Sequence, residues 1–210
     1  MKKSFKLLFV LAIFLFSFQS YSQVIMGIKG GVNFADMEWE DYGEYNFETT
    51  NTIGYHIGLQ MEFLLSDVFS VETGIYWSKK GAEINNHVYD QQYGSISWDS
   101  KMDINYIDWP VTIKVGLPIG DVVKVYVAAG GFLNWGISGK FDTGDGTEDV
   151  WGDEFEYLEK YDYGATFGAG IEVSKIQISA SYDLGLADIG ANKISINQSV
   201  LKASVAYLFW

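Results

Sequence analysis

With 14 basic against 27 acidic residues in 210, a net charge of -13, the chain has no basic surface on which to hold phosphates, which excludes nucleic acid as a partner. The absence of cysteine removes disulfides, thiolate metal sites and a lipid-modified N-terminal cysteine. An aromatic content of 17 %, 23 glycines and only 2 prolines suit long strands and tight turns, at a length that one barrel or sandwich can fill.

The N-terminus reads as an export signal. Lys2, Lys3 and Lys6 precede the apolar run Leu7–Phe16, and Ser20-Tyr21-Ser22 presents small residues two apart. The expected signal peptide is 1–22, cleaved after Ser22, with 23–210 as one barrel domain. Loss of the three lysines takes the charge from -13 to -16. The run is about half the length of a membrane-spanning helix, and nothing later reaches the ~20 apolar residues such a helix needs. A closed barrel is then the one way for the remainder to cross a bilayer.

Period-two alternation follows, segment after segment. Val24, Met26, Ile28, Val32 and Phe34 oppose Gly27, Lys29, Gly31 and Asn33; Ile53 to Phe63 alternates with Gly54, His56, Gly58, Gln60 and Glu62. Phe69, Val71, Ile75 and Trp77 oppose Ser70, Glu72, Gly74, Tyr76 and Ser78, and Ile107 to Val115 opposes Asp108, Thr112 and Lys114. Pro110 lacks a ladder donor, so a bulge or the end of the neighbouring strand is expected there. Val123 to Ile137, Tyr163 to Val173, Ile176 to Leu184 and Leu201 to Phe209 complete eight strands. Long polar loops are expected at Asp36–Asn51, Gly81–Lys101 and Ser138–Asp162, with a modest one at Ala187–Ser195 and short turns between the rest. This is the pattern of an all-β, eight-stranded antiparallel up-and-down transmembrane barrel with short periplasmic turns and long outer loops.

A secreted β-sandwich also alternates, but its polar face meets solvent and carries many charges. Here that face is mostly Gly, Ser, Thr and Asn with a few opposite charges, as a narrow interior requires. Aromatics including Tyr55, Phe63, Phe69, Trp77, Trp109, Trp135, Tyr163, Tyr207 and Phe209 gather near strand ends, like interfacial girdles. Barrel and outer membrane are therefore preferred.

The signal ending SYSQ, the opening GIKGGVNFAD, the hairpin GYHIGLQMEFLLSDVFSVETGIYWSKKG, the segment YIDWPVTIKVGLP, the hairpin GATFGAGIEVSKIQISASYDLGLADI and the terminal VAYLF together resemble the PorT-like outer-membrane barrels of the Bacteroidetes type, within the OmpA/OmpX-like small-barrel class. The resemblance implies a barrel fold, an outer-membrane location and a final aromatic read by the barrel-assembly machinery. Phe209 or the following Trp210 would end that signal.

Inward positions are expected to include Lys29, Glu62, Glu72, Asp108, Lys114, Lys124, Glu172, Asp183 and Lys202. Buried charges must pair or be solvated, so a salt-bridged lumen plug is preferred over a narrow ion pathway or secretion accessory. The loop acids form a solvated rim in the preferred reading. The alternative is calcium at DTGDGTED through Asp142, Asp145, Glu148 and Asp149, although that stretch lacks the EF-hand pattern. Loop aromatics such as Trp39, Tyr89, Trp98 and Trp151 either fold over the mouth or meet an extracellular protein or glycan. The two histidines, His56 and His87, join no serine–acid arrangement, so neither an enzyme nor a cofactor is expected. The expected state is a monomer in outer-membrane lipid, structural or adhesive in role.

Overall fold

Alternation along a strand becomes a wall only if every strand finds a partner on both sides. A computed structural model describes residues 24–39, 48–90, 94–142, 146–151, 158–190 and 196–209, and among them nine strands succeed one another. They are β1 (Val24–Trp39), β2 (Glu48–Leu64), β3 (Phe69–Asp90), β4 (Gly94–Ile119), β5 (Val123–Asp142), the short β6 (Thr147–Asp149), β7 (Tyr161–Val173), β8 (Ile176–Gly185) and β9 (Ile196–Phe209). The eight long strands pair antiparallel in chain order, β5 with β7 past β6, β9 returns to β1, and β6 adds to the far part of β5. The expected signal peptide lies outside the described residues.

Closure can be followed residue by residue. From Val24 the ladder passes to Phe63, Val71, Ile113, Ala129, Phe167, Tyr182 and Leu201, and re-enters β1 at Phe34, ten residues beyond its start. Eight long strands with that stagger, at about 3.3 Å rise and 4.7 Å spacing, incline about 40° to the barrel axis. A ring of this size has an interior that side chains can fill. Short turns at 64–69, 119–123 and 173–176 mark one end, shared with Val24 and Phe209; Gly120 (φ 69°) and Ser174 (φ 55°) supply left-handed backbone in the second and third.

Two expectations require correction. Gly81–Lys101 is not a loop: β3 and β4 stay paired from Lys80↔Ile104 up to Asp90↔Gly94. Likewise β1 runs on to Trp39, β2 starts at Glu48 and β5 reaches Asp142. The reason is a change of solvent along the wall. Below Trp77 and Ile107 the apolar residues point outward and the polar ones inward. Above them Lys79, Glu83, Lys101, Asp103 and Asn105 point outward, while Ala82, Met102, Ile104 and Tyr106 are buried inside. Apolar-out alternation therefore stops, but the strands do not.

Pro110 causes no bulge, and the neighbouring strand has not ended. It pairs with Phe132 on β5, and on the other side the β3–β4 register is the same before and after it, at Tyr76↔Asp108 and Thr73↔Val111. Thr73 bridges the gap in the ladder: its hydroxyl donates to the Pro110 carbonyl (2.8 Å) and accepts from Trp109 Nε1 (3.1 Å). The register shifts fall elsewhere, between Asn51 and His56 and at Asn105/Tyr106 against β5.

From Phe69 to Trp77 the outward apolar belt of β3 is about 20 Å high at this inclination, near the roughly 25 Å of a membrane barrel. Leu59, Ile75, Trp109, Ile113, Val127, Phe167, Ile178 and Val205 are all at least half exposed on it. An apolar surface encircling the molecule requires a non-aqueous surrounding. Tyr55, Trp77, Trp135 and Tyr161 stand along its upper edge, the last two stacked at 6.2 Å, while Phe69, Tyr207 and Phe209 stand at the turn end. Trp109 lies two residues inside the belt rather than at its rim.

Candidate functional site

The inward face places all nine expected lumen charges inside the barrel, in two groups. Nearer the turn end, Lys114 has a side chain without solvent exposure and contacts Glu62 (2.7 Å), Glu172 (2.7 Å) and Glu72 (3.0 Å). Lys29 pairs with Glu72 at 2.8 Å, Lys124 stands 3.8 Å from Glu62, Ser70 donates to Glu62, and Gln177 donates to Glu72 and Glu172. Three lysines thus meet three glutamates, and the group is neutral. That neutrality is what lets several ions sit out of water, since each would otherwise cost several kcal/mol.

Further along, Lys202 bridges Asp183 (2.6 Å) and Asp108 (3.0 Å), and Asp108 also meets Lys80 at 3.1 Å. Thr166 donates to Asp183 (2.7 Å) and Asn134 donates to Asp162 (2.8 Å). Sequence reasoning missed Lys80 and Asp162. Both sit at the change of solvent, where the outward apolar signal ends, yet Lys80 keeps the even parity of Ser70, Glu72, Tyr76 and Ser78. That parity was the signal available. Its ammonium also lies 5.1 Å from the Tyr106 ring centre and 5.8 Å from that of Phe132.

Between the groups, His56 Nδ1 meets Asn33 Oδ1 at 2.7 Å and Nε2 meets Ser204 Oγ at 2.9 Å, so both ring nitrogens are used. Tyr76 and Tyr126 lie across the lumen over Gly58 and Gly170. A Cβ on Gly58 would strike the Ile75 carbonyl and the Tyr76 ring, and one on Gly170 the Tyr126 hydroxyl. The space left here is about 70 Å³, bordered by Lys29, His56, Glu72, Asp108, Asp183 and Lys202. That is room for several water molecules.

Above the charges the lumen is closed a second time, by hydrocarbon. Met37, Ala82, Met102, Ile104, Tyr106, Val150, Leu158, Ala187, Ile189 and Ile196 form one buried cluster, with Phe141 and Trp151 against it. Trp151 Nε1 donates to the Leu158 carbonyl at 2.7 Å, which ties these two residues together at the cluster. This protruding half is built like a water-soluble barrel, apolar within and polar without. The other loop aromatics fall outside the described residues or on side chains not described.

Of the acids considered for calcium, Asp142 ends β5, Glu148 and Asp149 lie on β6, and Asp145 is outside the described residues. Strand pairing sets Asp149 opposite Lys140 and Glu148 opposite Phe141. Among the described residues no three His, Cys, Asp or Glu side chains converge as metal ligands.

No curated protein sequence matches the chain. Among solved structures it is similar to Ail, the attachment invasion locus protein of Yersinia pestis, at 15 % identity over 89 % of this chain and 99 % of that one, TM-score 0.43. It is also similar to OprG of Pseudomonas aeruginosa, at 12 % identity over 91 % and 98 %, TM-score 0.49, and to Neisserial surface protein A, at 13 % identity over 88 % and 97 %, TM-score 0.46. Residues 18–190 match the family described as outer membrane protein beta-barrel domain, so this ring of antiparallel strands with its outward apolar belt belongs to that family and resides in the outer membrane.

Proposed function

We propose that the protein is a closed, non-conducting barrel, not an enzyme, whose short turns face the periplasm and whose protruding end meets an extracellular protein or glycan. The observation that carries this reading is the double filling of the lumen, by the Lys114 and Lys202 charge groups and then by the apolar cluster around Met102 and Ile104. A wall filled in this way is a scaffold, and what it can offer a partner lies beyond the membrane. There, past Asn85 and Lys101, β3 and β4 pair only with each other among the described residues, as a two-stranded ribbon. At the barrel's inclination the part of β3 beyond Trp77 reaches roughly 30 Å.

The reading includes no cofactor, and calcium at the β5–β6 acids is an alternative that a titration against Asp149→Asn separates. Lipid covers the belt, the assembly machinery engages β9, and the closed ring favours a monomer because it leaves no free sheet edge at membrane depth. Within the family, the chain's hairpin and terminal segments support a place among PorT-like barrels of the Bacteroidetes type.

Planar-bilayer recording tests the proposal. Protein whose gel mobility is heat-modifiable, and which is therefore folded, gives no steady conductance steps, and shortening the ribbon across residues 86–98 removes partner or cell binding while mobility is unchanged. Steady steps altered by substitution at Lys114 or Asp108 would replace this reading with that of a narrow channel.

A further inference from the structure

On the outer wall, just above the belt, lies a groove of about 400 Å³ bordered by Tyr55, Trp77, Asp103, Asn105, Lys140 and Asp149. That is the size of a small-molecule site. Its floor is paired sheet, with β2, β3, β4, β5 and β6 joined in order, so it offers no free strand edge to a peptide backbone. Tyr55 and Trp77, each about half exposed, stand at its membrane side. Beyond them runs a row of charges, one from each successive strand. Lys79 of β3 pairs with Asp103 of β4 at 3.0 Å, and the register sets Lys140 of β5 between Asp103 and Asp149 of β6. The second Asp103 oxygen has no hydrogen-bond partner among the described residues, and Asn105 Nδ2 donates to Ser138 Oγ at 3.1 Å.

The row alternates in sign and sums to zero, and this decides the class of ligand. A sulfated or carboxylated chain would meet Asp103 and Asp149 on a protein that is already strongly acidic, and a polycation would meet Lys79 and Lys140. Groups that both donate and accept satisfy such a row at every point, and hydroxyls are those groups. A sugar ring carries hydroxyls around its rim and presents C–H bonds on its face, where the negative face of an aromatic ring attracts them. We infer that the groove binds an uncharged saccharide of an extracellular glycan, one ring packed on Trp77 beside Tyr55, with hydroxyls donating to the aspartates and accepting from Lys140. The inference rests on the reading that the protruding end meets a partner outside the cell, and it makes that partner a glycan; it does not require the lumen to be closed.

The test applies the full chain, folded in phospholipid nanodiscs free of glycolipid, to an array of immobilised oligosaccharides that are uncharged, sulfated or carboxylated. Uncharged members are retained in preference to the charged ones. Trp77→Leu, Lys140→Ala and Asp149→Ala each weaken that retention about five-fold, the loss of one stacking or hydrogen-bonding contact. Lys101→Ala, which removes a charge paired with Glu83 outside the groove, leaves it unchanged. Heat-modifiable mobility identifies folded variants, and the exposed Lys140 and Asp149 keep the test decisive if Trp77→Leu does not fold. Preference for sulfated or carboxylated chains, no retention of uncharged ones, or folded groove variants that bind like the parent would each overturn the assignment. Retention that persists in the groove variants but disappears when residues 86–98 are shortened would overturn the groove alone and leave the ribbon as the binding element.

Discussion

Replacement of Lys114 by alanine lowers the unfolding free energy of the refolded barrel by about 3–5 kcal/mol, the loss expected when one member of a buried ionic group is removed. Lys114 is the common partner of Glu62, Glu72 and Glu172, and its side chain has no solvent exposure. Without it the group holds three carboxylates against Lys29 and Lys124, an excess negative charge inside the wall. The Lys114 ammonium also lies 4.2 Å from the centre of the Tyr126 ring, and that contact is lost too. Urea titration of the folded protein in vesicles, read as a shift in midpoint at constant slope, measures the change. Adding Glu62→Gln to Lys114→Met restores part of the stability, because it removes the unpaired charge rather than replacing the pair. A Lys114→Ala barrel as stable as the parent would mean that water enters the lumen and the charges are not packed as a plug.

The second large effect belongs to the outer face. Leu59 lies midway along the apolar belt on β2, between Tyr55 and Phe63, with its side chain outward. Leu59→Arg is expected to destabilise the barrel in bilayers by about 2–4 kcal/mol, the cost of a basic side chain near the membrane midplane. Asn105→Arg, outward on β4 but above the belt, is expected to stay within about 0.5 kcal/mol of the parent, since an arginine there extends into water. Both substitutions put the same residue on the same face of the same wall. A difference between them reports the medium each meets, and equal effects would move the belt from where the structure puts it.

How far the fold could be read from the sequence follows from that change of medium. Where outward residues are apolar and inward ones small or polar, strict alternation identified every strand and the inward parity of Lys29, Glu62, Glu72, Asp108, Lys114, Lys124, Glu172, Asp183 and Lys202. Parity cannot give partners across the ring, because Lys114 and Glu172 become neighbours only through the stagger of ten residues. Above Trp77 and Ile107 the polarity of the two faces exchanges, so Gly81–Lys101 reads as a polar loop although Glu83 and Lys101 alternate with Ala82 and Met102. A barrel pattern sought in one phase ends there. The opposite phase, apolar inward, continues to Met37 on β1 and Ile196 on β9 and carries the cluster that closes the mouth. Pro110 misled for a different reason: the Thr73 hydroxyl ties the Pro110 carbonyl and Trp109 Nε1 to β3 beside the missing backbone donor, and a single strand does not reveal such a bridge.

The exchange of phase is the centre of this account, and a chain without cysteine allows it to be measured directly. Single cysteines placed along β4 in the protein folded into vesicles, and exposed to a membrane-impermeant maleimide, should label rapidly at Asp103→Cys and Asn105→Cys. Val111→Cys and Ile113→Cys, on the same face, should resist labelling, and Met102→Cys and Ile104→Cys should resist it because they are packed inside. Rapid labelling at Val111→Cys or Ile113→Cys, or protection at Asp103→Cys equal to theirs, would contradict a barrel that is membrane-facing in its lower half and water-facing in its upper half.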